Sequence, residues 1–367
     1  MYLERLDVSG IRNLEYQQLR FGRSLNIIYG DNGSGKTSLL ESIHLLGRGR
    51  SFRTSHLSSV INHKVKACVV SGRLVSNDGQ NISLGVSRDS EGGFQIRRDG
   101  NPVYSAAELA TELPLLLINS NSFSLLEGGS GNRRRYLDWS VFHVEHAVQH
   151  PWKKLTSVLK QRNSLLRRGK IDRAEMAYWD RELASIAGRV HKSREQLFLK
   201  LSPLITGYME KLGGVPGIDY QYRAGWDVTV PLLDQLDKGR DQELRSGRTL
   251  LGPHRADIKV QYKGSPAWEI LSRGQLKVLV AAMYLAQARL LADAGGIVPI
   301  VLVDDLPAEL DKEHIRLVIA SLVSMGTQLF VTGVSIESIL GLLPREVIPD
   351  TDVFHVEHGT FVKQEIE

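Results

Sequence analysis

Apolar positions recur along the chain in two rhythms, and their succession predicts an α/β protein. Leu6 and Val8, then Leu19 and Phe21, step by two in strand fashion and lead into the short apolar run Ser24–Tyr29. The period then changes, and Leu39, Ile43 and Leu46 share one face of a helix. From Lys64 to Tyr104 period two returns. Val65, Ala67 and Val69 alternate, as do Ile82, Leu84 and Val86, with turns at Asn77-Asp78-Gly79 and Glu91-Gly92-Gly93. An antiparallel sheet is the simplest account. Leu115–Ile118 reads as a buried strand, after which the pattern becomes helical.

Between Trp152 and Leu212, Met176, Trp179, Leu183, Ile186, Val190, Leu197, Leu201, Leu204 and Tyr208 step mostly by three and four. That is the seam of an antiparallel helical pair, interrupted at Ser193 and expected to kink or break at Pro203. Ile218, Tyr220 and Tyr222, then Ile258, Val260 and Tyr262, return to strand alternation. An apolar helix through Leu279, Met283 and Leu290 follows, then apolar strands at Pro299–Val303 and Leu329–Thr332. The pattern suggests two lobes. One is 1–120 with 296–367, built on strands; the other is the mainly helical stretch 121–295. The 367 residues leave room for two such units.

The strand Ser24–Tyr29 and the helix after it flank Gly30-Asp31-Asn32-Gly33-Ser34-Gly35-Lys36-Thr37, which fits the phosphate-binding loop G-x-x-x-x-G-K-[ST]. Strand, glycine loop, helix is the context this motif requires. Backbone N–H groups of such a loop form an anion nest, with Lys36 for the β- and γ-phosphates of ATP and the Thr37 hydroxyl for Mg²⁺. Leu271-Ser272-Arg273-Gly274-Gln275 is a degenerate form of the L-S-G-G-Q signature of ABC-type ATPases, with Ser272 a good helix N-cap. Asp304 ends an apolar strand as a Walker B acid would. Asp305 stands where a glutamate usually polarises the attacking water, one methylene short, so slow hydrolysis is expected. Ala308-Glu309-Leu310-Asp311 follows at D-loop spacing, and Thr332 stands where a γ-phosphate sensor histidine is usual. In that order the motifs predict an ABC-type head.

Composition narrows the partners. A net charge of +5 and a pI near 9.2 are compatible with an anionic partner without demonstrating one. The single Cys68 excludes an intrachain disulfide and a zinc cluster, and points to a reducing cytoplasm. Met1–Arg5 lacks a signal-peptide core, and the apolar stretches Leu276–Ala288 and Ile297–Val303 are too short or interrupted to span a bilayer. Two arginine-rich segments are candidates for phosphate contact. Gly47–Arg53, expected to follow the first helix outside the core, contains Arg50 and Arg53; it is either a solvated linker or a basic edge. Arg133-Arg134-Arg135 follows a glycine loop. His143, Glu145, His146 and His150 match no metal motif, and the repeat of Phe142–His146 at Phe354–His358 is too short to be a structural repeat.

Several further blocks carry a family likeness. They are Gly10–Leu14, Gly49–Arg53, Arg134–Trp139, Lys160–Asn163, Gly252-Pro253-His254-Arg255, Ser272–Gln275 and Asp304-Asp305. On these the chain resembles, nearly end to end, the RecF family of bacterial recombination-mediator ATPases. The resemblance implies an ABC-type head without a long coiled coil, and ATP-dependent dimerisation on double-stranded or gapped DNA. It also implies work with RecO- and RecR-type mediators in loading recombinase at single-strand gaps. Ser272 and Gly274 would then reach the γ-phosphate held by a second subunit. Asn119 lies near the Q-loop position without being glutamine, and Ala256 falls where an acid is expected. The function expected is a weak, DNA-stimulated ATPase acting as a clamp, with Arg50, Arg53, Arg134 and Arg135 as candidate DNA contacts. Two rivals share the phosphate loop. An ABC-type transporter subunit is disfavoured by the missing sensor histidine and the long basic helical insertion, and a small-molecule kinase has no use for a signature.

Overall fold

The computed structural model describes all residues except 146–148, 169–171, 306–309, 344 and 366–367. The chain divides into two units, Met1–Ser122 with Ala281–Glu367, and Phe123–Val280. The second division falls between Val280 and Ala281, inside the helix Arg273–Gly295, and so lies fifteen residues before the lobe boundary expected at 295/296.

In the first unit one six-stranded sheet is antiparallel throughout. Its strands are β1 (Tyr2–Ile11), β2 (Leu14–Arg20), β4 (Ala67–Val75), β5 (Asn81–Asp89), β6 (Phe94–Arg98) and β7 (Asn101–Val103), in the order β2-β1-β4-β5-β6-β7. The other runs β15-β14-β3-β13-β12-β8, with β3 (Leu25–Tyr29), β8 (Leu115–Ile118), β12 (Ile300–Val303), β13 (Leu329–Gly333), β14 (Thr351–Glu357) and β15 (Thr360–Gln364). All its pairings are parallel except β14 with β15. Parallel strands are covered on both faces, which explains why β12 is the uninterrupted run Ile-Val-Leu-Val with every residue buried. The helix Lys36–Arg48 shares one core with both sheets. Leu39, Leu40, Ile43 and Leu46 pack with Leu3, Leu6, Val70 and Leu74 of one sheet and Ile28, Phe330 and Phe354 of the other.

This helix corrects one expectation. Gly47 and Arg48 belong to it rather than to a segment after it, and Gly49 closes it in the left-handed conformation with its N–H on the Leu45 carbonyl. Gly47 is buried because it has no side chain. A Cβ there would lie 2.6 Å from Leu115 Cδ1 and 2.9 Å from the Leu113 carbonyl, so only glycine lets the helix approach β8 this closely.

The second unit holds the helices Ser130–Val144, Gln149–Arg168 and Arg173–Lys211, and a three-stranded antiparallel sheet β11-β10-β9 of β9 (Ile218–Arg223), β10 (Asp257–Tyr262) and β11 (Ser265–Pro266). Leu155 and Val158 pack with Leu183, Ile186, Ala187 and Val190, while Leu165 and Leu166 pack with Met176. The rising numbers on one helix meet falling numbers on the other, so the pair is antiparallel. Pro203 does not break the longer helix, which runs on to Lys211. Its ring is exposed, and Leu199, whose carbonyl it deprives of a donor, is 66% exposed, so water can satisfy that carbonyl. A buried charge network adds to the packing. Arg162, fully buried, donates to Asp180 Oδ1 at 2.8 Å, Thr249 Oγ1 at 2.8 Å and Glu243 Oε2 at 2.5 Å. Arg240 donates to the other Asp180 oxygen at 2.7 Å.

The helix Arg273–Gly295 is longer than its sequence pattern suggested. By length and composition alone it would cross a membrane, but its most apolar window is 72% buried within the protein, as in a core helix.

Candidate functional site: a phosphate loop tied to an acidic strand end

The phosphate loop connects β3 to the helix Lys36–Arg48, and two glycines fix its path. Gly30 sits at φ 151°, where a Cβ would meet the Val356 carbonyl at 2.2 Å. Gly35 sits at φ 126°, with Leu14 Cδ2 at 3.0 Å from the same position. Gly35 is also the helix N-cap and supplies no side-chain acceptor. The first-turn N–H groups therefore face outward as donors, the arrangement that favours an anion. Ser34 Oγ is sealed from solvent inside the loop with no partner. Lys36 Nζ donates to the Gly30 carbonyl at 2.6 Å and the Asp31 carbonyl at 2.8 Å. Partial burial lowers its ammonium pKa, against the attraction of Asp305, Asp304 and Asp31.

β13 lies between β3 and β12, and it brings the two ends of the site together. Thr37 Oγ1 lies 3.0 Å from Asp304 Oδ1 and 3.1 Å from Oδ2. Thr332, fully buried at the end of β13, donates its hydroxyl to Asp304 Oδ1 at 2.8 Å and accepts the Asp305 N–H at 2.8 Å. Asp305 itself takes φ 56°, a left-handed conformation that is costly for any residue but glycine. Lys36, Thr37, Asp304 and Asp305 thus form one cluster, with Thr332 as its knot. Thr37 and Asp304 make an all-oxygen pair of the chemistry a magnesium ion takes.

Residues outside the motif hold the loop. The hairpin turn between β1 and β2 places Arg12 at φ 53° and lets Asn13 Nδ2 donate to the Gly33 and Ser34 carbonyls at 3.2 and 3.1 Å. Ser38 Oγ donates to Asn13 Oδ1 at 2.9 Å, and the Gly359 N–H reaches the Ser34 carbonyl at 2.7 Å. Beside them opens a cleft of about 710 Å³ lined by Arg12, Asn13, Tyr16, Lys64 and His358. Glu41, fully buried on the loop's helix, takes a bidentate pair from Arg12, both bonds 2.9 Å, and one hydrogen bond from Ser51 Oγ. The sequence reading included Asn13 only within the family block Gly10–Leu14, without a role, and missed Glu41. The signal for Glu41 was a lone carboxylate on an otherwise acid-free helix, with Arg50 and Arg53 following in the chain.

The arginine candidates divide. Arg53 lies 3.7 Å from Glu41, and Arg134 donates to Ser130 Oγ and to the Ala256 carbonyl, both at 2.7 Å. Arg50 and Arg135 are exposed. Arg133 is held by Asp257 in two bonds of 2.8 and 3.0 Å, so an acid follows the Gly-Pro-His-Arg block one place beyond Ala256. Ser272 and Gln275 form a reciprocal cap: the Ser272 N–H donates to Gln275 Oε1 at 2.9 Å and the Gln275 N–H to Ser272 Oγ at 3.3 Å. Ser272 and Gly274 remain exposed at that helix start. Asn119 follows β8, its N–H bonded to Ser122 Oγ at 2.9 Å. Ala308 and Glu309 of the D-loop segment, and His146, lie outside the described residues. Among the described residues no cluster of three metal-ligating side chains occurs.

Known proteins match this chain over nearly its whole length. Residues 2–341 match the family model described as RecF/RecN/SMC N terminal domain. The DNA replication and repair protein RecF of Stutzerimonas stutzeri is 44% identical over 98% of this chain and 96% of its own. The chain belongs to the RecF family. The RecF of Cellvibrio japonicus is 42% identical over 98% of both chains. A solved structure of the recombination mediator RecF with ATPrS, from the RecFOR pathway, superposes with a TM-score of 0.86 at 26% identity, covering 99% of this chain and 98% of that one. An Smc head bound to the C-winged helix domain of ScpA gives 0.61 at 15% identity over 100% and 98%, a likeness of fold alone. This RecF-family chain is therefore a DNA replication and repair protein on an ABC-type ATPase head, and the transporter reading falls.

Proposed function

We propose that this RecF-family protein is an ATP-gated DNA clamp of recombinational repair. Its hydrolysis is slow and serves as a switch. The observation that carries the reading is the cluster in which Thr332 ties Asp304 and Asp305 to the phosphate loop through Thr37. In it, Gly30, Asp31, Asn32, Gly33, Ser34, Gly35, Lys36 and Thr37 cradle the triphosphate of ATP. Lys36 exchanges its two carbonyl partners for β- and γ-phosphate oxygens. Thr37 and Asp304 hold Mg²⁺, which when bound screens phosphate charge. Asp305, fixed by its own N–H on Thr332, polarises the water aimed at the γ-phosphorus. The nucleoside end takes the cleft beside Asn13, where the exposed Tyr16 offers a stacking face.

Ser272 and Gly274 stand exposed and already capped, in the form that a γ-phosphate on a second copy would meet. Two ATPs would then hold a homodimer together, and hydrolysis would release it. DNA, double-stranded or gapped, is the partner in this reading, with Arg50 and Arg135 its freer contacts and Arg53 and Arg134 secondary ones. RecR- and RecO-type mediators act with it in a cytoplasmic setting. The test is sedimentation with and without ATP, with turnover measured on gapped duplex. Wild type should dimerise with ATP and turn over faster on DNA; Lys36→Arg should do neither. ATP that leaves both equally monomeric would refute the clamp.

A further inference from the structure

We propose that the outward face of the helix Gln149–Arg168 is a track for a DNA phosphate backbone, an inference that rests on the reading above that the protein works on DNA. The helix carries six lysines and arginines and no aspartate or glutamate. Two are accounted for: Arg162 is buried in its network, and Lys154 pairs with Glu182 at 2.5 Å. Lys153, Lys160 and Arg167 are exposed and have no carboxylate within ion-pair distance among the described residues, and Arg168, also exposed, stands one position off their line.

Their spacing is what makes a track. They stand seven residues apart, which returns a helix to the same face with a drift of about 20° per step. Each step advances about 10.5 Å, so the three cations line up over about 21 Å of one face. Ser157 and Ser164 fill the positions between them with small hydroxyl side chains, as donors to phosphate oxygens and without bulk to hold a backbone off. Duplex DNA presents about one charge per 1.7 Å of axis, so a stretch of that length offers about a dozen phosphates.

The same face argues against other anionic partners. No large exposed hydrophobic side chain lies between residues 151 and 168, although such residues occur elsewhere in the chain, at Tyr104 and Leu199 for example. An acidic protein partner would use an apolar centre, and a membrane-surface helix an apolar insertion face. Neither is present here. Lysine, arginine and hydroxyl groups without large exposed apolar side chains, and with no acid on the helix itself, suit a sequence-independent backbone contact.

The test is a salt titration of duplex DNA binding by fluorescence anisotropy on the full-length chain. Each phosphate contact contributes about 0.9 to the slope of log K against log salt. The triple variant Lys153→Gln/Lys160→Gln/Arg167→Gln should flatten that slope by about 2–3 and weaken binding at least about 10-fold, with an unchanged thermal midpoint as the control of fold. Lys154→Gln should leave the slope within about 0.5 of wild type. Ser157→Lys, which adds a cation to the same line, should steepen it by about 1, a gain that damaged folding cannot imitate. A triple variant or Ser157→Lys with the wild-type slope overturns the track. So does a triple variant that keeps its slope on DNA but loses binding to anionic vesicles or an acidic peptide. Wild type that fails to bind duplex at low salt would instead refute the DNA reading itself.

Discussion

Thr332→Val is the sharpest test of the cluster. Valine matches threonine in shape but removes the hydroxyl that donates to Asp304 Oδ1 and accepts from the Asp305 N–H, both at 2.8 Å. Thr332 is fully buried, so water cannot readily take the hydroxyl's place. A hydrogen bond to a carboxylate contributes about 1.5–3 kcal/mol, and an N–H left unpaired costs about 1–3 kcal/mol. Asp304 keeps Thr37 as a partner, so about 2–4 kcal/mol is the expected loss. For a unit of about 200 residues that lowers the melting midpoint by roughly 5–12 °C. Catalysis should suffer separately. Asp305 holds φ 56°, and the Thr332 hydroxyl is the group that keeps its N–H in place, so the carboxylate loses its aim. At about 1.4 kcal/mol per tenfold, kcat should fall about 10–100-fold while KM for ATP moves little, because Lys36 and the loop are untouched. Thr332→Ser should restore most of both. If Thr332→Val turns over and melts like wild type, the knot does not position Asp305. If serine and valine fail alike, the hydroxyl is not the cause.

Three further outcomes follow from groups away from the phosphates. Arg162→Met leaves Asp180 with only Arg240 and Glu243 with only the Leu250 N–H at 2.8 Å, and should lower stability by about 3–5 kcal/mol in denaturant titration; a loss under about 1 kcal/mol would mean the network is not a structural staple. His44 is held neutral in the fold, its pKa pushed down to about 3, first by burial and then by Arg48. The unfolded chain binds a proton there from about pH 6.5 downward and the folded one only near 3, so stability drains away between those values at up to about 1.4 kcal/mol per pH unit. Thermal melts of His44→Gln should therefore lose less than wild type between pH 7.5 and 5, and equal losses would refute the assignment. Pro203→Ala restores a donor for the exposed Leu199 carbonyl and should raise stability by about 1–3 kcal/mol, read as a higher melting midpoint; a fall would show that the proline ring is packed, not merely tolerated.

What was legible in the sequence, and what was not, divides along the range of the forces involved. The loop Gly30–Thr37, the buried run Ile300–Val303 and the helical seam were readable because strand period, helix period and turn chemistry are local. Ser272 was readable as a cap because its partner Gln275 is three residues away. The knot was not readable, since Thr332 meets Asp304, and Asp304 meets Thr37, only because β13 is threaded between β3 and β12. The same holds for Asn13, which reaches the phosphate loop from a hairpin turn, and for Arg162, whose partners come from three separate segments. Gly47 was misread for a related reason, because a glycine that admits close packing looks the same in sequence as a glycine that breaks a helix. The clearest case is the tetrapeptide Phe-His-Val-Glu. At Phe142–Glu145 it ends a helix, with Glu145 as the C-cap, and at Phe354–Glu357 it ends β14, paired with β3 on one side and β15 on the other. Four identical residues take opposite conformations because β3 and β15 supply hydrogen-bond partners to one copy and the preceding turns of helix supply them to the other. Local propensity proposes an element, and the backbone partners within reach decide it.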